Sequence, residues 1–113
     1  MVPEPAAFSA VMQALDIRRK DTVVLYDQAS MTGCCKAAFT LRCFGLNVRV
    51  LECPLTKWIS EGRATTSEKA EVQRTAGSSE DYAYELDSSK IATYEDLSAA
   101  SAMIFDARPL TNF

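Results

Sequence analysis

Short apolar runs alternate with polar turns along the first half of the chain, and their periods change from helical to extended and back. Between Glu4 and Leu15, the residues Phe8, Val11, Met12 and Leu15 follow the i, i+3, i+4, i+7 rule, which predicts a helix with one apolar face. Pro3 and Pro5 suit its start, where helical N–H groups lack partners anyway. Arg18 to Asp21 reads as a polar turn. Thr22 to Tyr26 follows as a strand, and its unbroken run Val23-Val24-Leu25 predicts burial on both faces, as in a parallel sheet. A loop from Asp27 to Gly33 leads to a helix over Cys34 to Phe44, with Cys34, Ala37, Ala38, Leu41 and Phe44 on its apolar face. Gly45 is a natural stop, since helices often end in a left-handed residue. Val48 to Leu51 is the next strand, and the strand–helix–strand order implies a right-handed crossover between parallel neighbours. Leu55 to Glu61 is a short helix carrying Trp58, closed by Gly62.

The pattern changes after Gly62. Arg63 to Lys90 is rich in Ser, Thr, Glu and Lys and reads as a long irregular arm. Its exception is Tyr82-Ala83-Tyr84-Glu85-Leu86, where Tyr82, Tyr84 and Leu86 are candidates either for anchoring on a partner protein or for folding back onto this chain. Thr93-Tyr94-Glu95-Asp96-Leu97 has the form of an N-capped helix start with early acids. Ala102 to Phe105 reads as one more strand, ending at Asp106-Ala107-Arg108-Pro109. The expected class is α/β, a parallel sheet flanked by helices, divided as 1–62, an arm over 63–90, and a helix–strand unit over 91–113.

Composition narrows the chemistry. The 113 residues fit one domain, and a hydrophobic fraction of 48% can support a core. A net charge of −3, with no basic run longer than Arg18-Arg19-Lys20, argues against a nucleic-acid partner. No apolar run approaches the ~20 residues of a bilayer span. The opening MVPEPAAFSAVMQALD has no basic start and an early Glu, so it reads as neither a signal nor a transit peptide. With no histidine, neither a Cys–His nor a Ser–His pair can form within the chain. Cys34, Cys35, Cys43 and Cys53 lack the paired C-x-x-C spacing of a zinc site, so no metal or cofactor is expected. Reduced cysteines in apolar contexts fit an intracellular or organelle-matrix location.

Several segments, in this order, resemble the tandem-domain rhodaneses, the thiosulfate and mercaptopyruvate sulfurtransferase type. They are Pro3-Glu4-Pro5-Ala6-Ala7-Phe8, Asp16-Ile17, Asp21-Thr22-Val23-Val24, Tyr26-Asp27, Lys36-Ala37-Ala38-Phe39-Thr40-Leu41-Arg42 with Phe44-Gly45, Val48-Arg49-Val50-Leu51, Leu55-Thr56-Lys57-Trp58, Thr93-Tyr94-Glu95-Asp96-Leu97, and Ile104-Phe105-Asp106-Ala107-Arg108. The resemblance implies that 1–62 is the second half of an inactive rhodanese-like domain and that 91–113 opens a second such unit, with the remaining strands supplied by other protein chains. It departs from the family at Cys53-Pro54, where two glycines are usual, and at Thr32-Gly33-Cys34-Cys35 in the loop.

In an active rhodanese domain the residue after the central strand is a cysteine that carries sulfur as a persulfide. Here that position is Asp27, and a carboxylate cannot carry sulfane sulfur. The loop Asp27, Gln28, Ala29, Ser30, Met31, Thr32 and Gly33 would, in the family, ring an anion with backbone N–H groups. Asp27 either mimics the persulfide by capping loop amides or is an ordinary loop aspartate. Cys34 and Cys35, near a helix N-terminus and beside Lys36, are candidate displaced nucleophiles or a strained vicinal disulfide. Trp58 is expected to anchor the core.

The expectation is a catalytically inactive, rhodanese-derived accessory subunit of a larger protein assembly. The family implies a mitochondrial setting, and otherwise a cytoplasmic one. The alternative is the non-catalytic half of a split sulfurtransferase whose partner chain supplies the persulfide cysteine, with Lys36 and Arg42 as anion contacts. A third reading is a small module that binds an anion or peptide through the Asp27 to Gly33 loop.

Overall fold

A computed structural model describes residues 2–72, 77–99, 101 and 103–106. Helix α1 spans Pro5–Ala14, strand β1 Thr22–Leu25, helix α2 Thr32–Cys43, strand β2 Asn47–Val50, helix α3 Leu55–Ser60 and helix α4 Tyr94–Ala99. Two single 3-10 turns, Ser79–Tyr82 and Ser88–Lys90, punctuate the arm. The protein is thus a mixed α/β protein. β1 and β2 pair in parallel through the α2 crossover, with Val23 opposite Val48 and Leu25 opposite Val50.

Each of the first three helices closes in the same way. The third residue past the helix end donates its N–H to the carbonyl five residues before it: Ile17 to Met12, Leu46 to Leu41, and Arg63 to Trp58. The pivot must be left-handed. Gly45 (φ 79°) and Gly62 (φ 73°) supply it without steric cost, whereas Asp16 (φ 53°) supplies it at the end of α1. Asp16 was not visible as a stop in the sequence, because its reason lies far away: its carboxylate accepts the Tyr82 hydroxyl and pairs with Arg18 Nε at 3.5 Å.

The core lies on one side of the sheet. Phe8 and Met12 of α1, Ala38 and Leu41 of α2, Phe44, Leu46 and Val48 form a buried cluster with Tyr82 and Tyr84 from the arm. The Phe8 ring stacks on Phe44 (centroids 3.8 Å apart) and meets Tyr84 edge-on at 5.2 Å. The Tyr84 hydroxyl donates to the Ile17 carbonyl at 2.8 Å, and the Tyr84 N–H donates to Ser9 Oγ at 3.2 Å. Further along, the Asp87 N–H bonds the Cys43 carbonyl at 2.8 Å and Lys90 Nζ bonds the Arg42 carbonyl at 3.1 Å. The arm is irregular, as its composition predicts, yet residues 82–90 strap the ends of α1 and α2. Tyr82, Tyr84 and Leu86 are therefore committed to this chain's own core. Of their two expected roles, the fold-back is the one observed.

Three expectations change. β1 is not buried on both faces: its side chains alternate, Val23 and Leu25 packing on the cluster while Val24 (58% exposed) and Tyr26 (61%) face outward. A two-stranded sheet with helices on one side leaves its other face open. On α1, only Phe8 and Met12 of the predicted stripe are buried, and Val11 and Leu15 are exposed. The third change is at the strand expected over Ala102 to Phe105. Residues 103–106 form no strand, and Met103, Ile104 and Phe105 stand exposed; Ala102 and 107–113, including Ala107-Arg108-Pro109, lie outside the described residues. α4 has the predicted cap: the Asp96 N–H donates to Thr93 Oγ1 and the Asp96 carboxylate accepts from the Thr93 N–H, a reciprocal capping box.

Tyr84 gives this packing a pH signature. Burial first, then Asp21, pushes its phenol up to about 12 from an ordinary 10.0. The unfolded chain therefore sheds this proton at lower pH than the folded one, so the contribution is complete below pH 10 and declines between pH 10 and 12. Tyr84→Phe should lower urea stability at neutral pH by about 1 kcal/mol through the lost bond to Ile17. The same change should make the alkaline fall in stability shallower, and an unchanged slope from pH 9 to pH 12 would count against this role for Tyr84.

Candidate functional site

The loop between β1 and α2 lies at the carboxyl ends of the parallel strands, where open α/β sheets place ligands. α2 begins at Thr32, so Thr32 and Gly33 belong to its first turn and the loop itself is shorter than the sequence suggests. Asp27 Oδ1 accepts the Gln28 N–H at 2.6 Å. Its other oxygen, Oδ2, lies against Gly33, so close that a Cβ there would sit 2.9 Å away. The carboxylate thus fills the space at the start of α2, where backbone N–H groups lack helical partners. The main chain of the loop is tied down as well. The Leu55 N–H donates to the Asp27 carbonyl at 2.9 Å and the Thr56 N–H to the Gln28 carbonyl at 3.1 Å, so α3 is fastened to the loop by its first turn. Ala29, Ser30 and Met31 are exposed.

The cysteines divide by exposure. Cys34 and Cys43 are buried, Cys53 is half-buried, Cys35 is exposed, and all four are free thiols, so no Cys34–Cys35 disulfide is present. A helix N-terminus and Lys36 were expected to acidify Cys34. The direction is opposite: burial pushes its thiol up, and the Asp27 carboxylate and Cys35 add to that. Cys34 is therefore protonated at neutral pH and a poor nucleophile.

The two basic candidates are separated in role. Lys36 is exposed on α2 beside Gly33, Ala37, Thr40 and Leu41, which border a shallow depression. Arg42 turns to the sheet instead, its guanidinium donating to the Val48 carbonyl at 3.0 Å. Because the Leu51 N–H bonds the Leu25 carbonyl, Val48 and Val50 direct their backbone groups to the outer edge of β2. Arg42 accordingly covers a sheet edge, one of the ways proteins blunt an unpaired strand.

Trp58 departs from its expected place. It is half-buried and outside the core cluster, and it forms one wall of a cavity of about 480 Å3 with Tyr26, Leu51, Leu55 and Ile59. Its Nε1–H donates to the Ala64 carbonyl at 3.0 Å, and the Arg63 guanidinium lies 4.8 Å from its ring centroid. The sequence marked Trp58 as a packing residue but gave no sign of a cavity, because the opposing wall comes from the start of the arm. Among the described residues no helix is long and apolar enough to cross a membrane.

No protein-family model matches this chain, and no curated protein and no solved structure matches it.

Thiol chemistry gives a direct check of the loop. With Ellman's reagent near neutral pH, Cys35 should react first, and Cys34 and Cys43 only slowly. Asp27→Asn removes one of the charges that raise the Cys34 thiol, so Cys34 should then react several-fold faster. Equal rates for Cys34 and Cys35 in the unmodified protein would contradict the burial described.

Proposed function

We propose that this chain is a catalytically inactive, rhodanese-derived accessory subunit that works by being built into a larger protein assembly. The observation that carries the reading is Asp27. It occupies the strand exit where the resembling family places its sulfur-carrying cysteine, and its carboxylate takes up the start of α2. A negative charge there repels thiosulfate and thiolates, and a carboxylate forms no persulfide. Cys34, in the first turn of α2, is buried and held protonated.

The assembly half of the proposal draws on the sheet. Two parallel strands with one bare face are an unfinished surface, and exposed Val24, Tyr26, Met103, Ile104 and Phe105 add apolar area that a partner would cover. The two sheet edges differ. Arg42 covers part of the β2 edge, whereas the backbone of Thr22, Val24 and Tyr26 faces outward on β1, making β1 the edge to which another chain would add a strand. A mitochondrial complex is the setting the resemblance favours.

Two measurements on native material test this. In an extract of its source the chain should elute in a species much heavier than its own 12.4 kDa, and the isolated chain should form no thiocyanate from thiosulfate and cyanide above buffer. Elution at its own mass, or turnover by the isolated chain, would contradict the proposal. Turnover by the native species, abolished by a Cys→Ser change in a partner, would instead favour the split-enzyme alternative.

A further inference from the structure

The cavity beside Trp58 has the size, place and chemistry of a small-molecule site. Its volume of about 480 Å3 lies within the range of roughly 300–1,000 Å3 typical of such sites. It sits at the carboxyl ends of β1 and β2, beyond Tyr26 and Leu51, with α3 on one side and residues 64–66 on another. Each wall is fixed by a main-chain bond or an anchored side chain. The Leu51 N–H holds the Leu25 carbonyl at 2.8 Å, α3 is tied to the loop through Leu55 and Thr56, and the Trp58 indole clasps Ala64. The cavity is therefore formed before any ligand arrives, which limits the ordering cost of binding.

Its lining defines the ligand. Among the described residues no Asp, Glu, Lys or Arg lines it; the walls are Tyr26, Trp58 and the aliphatic Leu51, Leu55 and Ile59, with Ala64, Thr65 and Thr66 at one side. Arg63, which precedes Ala64 in the chain, is already paired with Glu61 at 2.6 Å and lies over the Trp58 ring. A charged ligand would lose its hydration here and gain no counter-charge. Two aromatic walls favour a flat ring, which they can meet by stacking or edge-on contact. We propose that this cavity binds a small, uncharged aromatic molecule.

Trp58 is the only tryptophan of the chain, so it reports on its own cavity. N-phenyl-1-naphthylamine and its 8-sulfonate share one aromatic frame and differ in a single negative charge. Energy transfer from Trp58 should show saturable binding of the neutral probe, about tenfold or more tighter than the sulfonate. Ile59→Lys, at the exposed rim, should weaken the neutral probe by at least about tenfold with an unchanged circular dichroism spectrum. Val11→Lys, an exposed apolar position on α1 outside the cavity, should leave binding unaltered. Equal affinity for the two probes, or neutral-probe binding indifferent to Ile59→Lys, overturns the proposal. So does binding that is present in the isolated chain and lost in its native assembly, which would assign the cavity to a partner's side chain.

Discussion

The return of Tyr82 and Tyr84 to the base of α1 and α2 is the interaction on which the rest of the fold depends. Phe8 and Phe44 stack within a cluster that Met12, Ala38, Leu41, Leu46 and Val48 complete only in part. Tyr84 closes the stack edge-on, and its hydroxyl takes the Ile17 carbonyl just past the end of α1. Tyr82 reaches the Asp16 carboxylate at the left-handed pivot of the same turn. The Arg19 N–H then bonds the Asp81 carbonyl, so the turn entering β1 and the arm hold each other. A stretch that looks like a linker thus completes the only buried cluster among the described residues.

That economy has a consequence for the sheet. All the large buried side chains lie on one side of β1 and β2, and the other side carries Val24, Tyr26, Arg49 and Leu51 with no helix layer over the strands. The chain is spread out: its radius of gyration is 17.5 Å and its shortest extent 18 Å, where a compact domain of this length has a radius near ~13 Å. An open parallel sheet face is unusual, because parallel sheets are normally covered on both faces. The bare face, the β1 edge and the cavity beside Trp58 meet at Tyr26, which makes that residue the junction between the finished and unfinished halves of the structure. Asp27 follows it directly, and its carboxylate occupies the start of α2 instead of leaving that place to an anion.

Much of this was legible in the sequence. The helical stripe of α2, the parallel crossover, Gly45 and Gly62 as stops, and Thr93 as the cap of α4 all follow from local chemistry, and each holds to within two residues. What failed were inferences about burial. Val23-Val24-Leu25 reads as a doubly buried strand because every residue is apolar, but burial depends on what packs above it, and that is not encoded within the run. Val11 and Leu15 fit the helical period yet stay exposed, because the arm and the core cover the side of α1 that carries Phe8, Ser9 and Met12. Asp16 as a helix terminator and the wall of the Trp58 cavity both depend on residues far away in the chain, Tyr82 for one and Ala64 to Thr66 for the other. At the candidate site, Asp27 stands at the exit of β1 as expected, but the loop was drawn two residues too long, and Cys34 was misjudged because its burial and acidic neighbour outweigh the helix terminus.

The one-sided, two-stranded sheet is the physical claim on which the functional reading stands, and amide hydrogen exchange tests it residue by residue. In the isolated chain, the outward-facing amides of Val24 and Tyr26 should exchange much faster than that of Leu25, which faces β2. In the native assembly, Val24 should become as slow as Leu25. Slow exchange at Val24 in the isolated chain, or no added protection on assembly, would contradict the account.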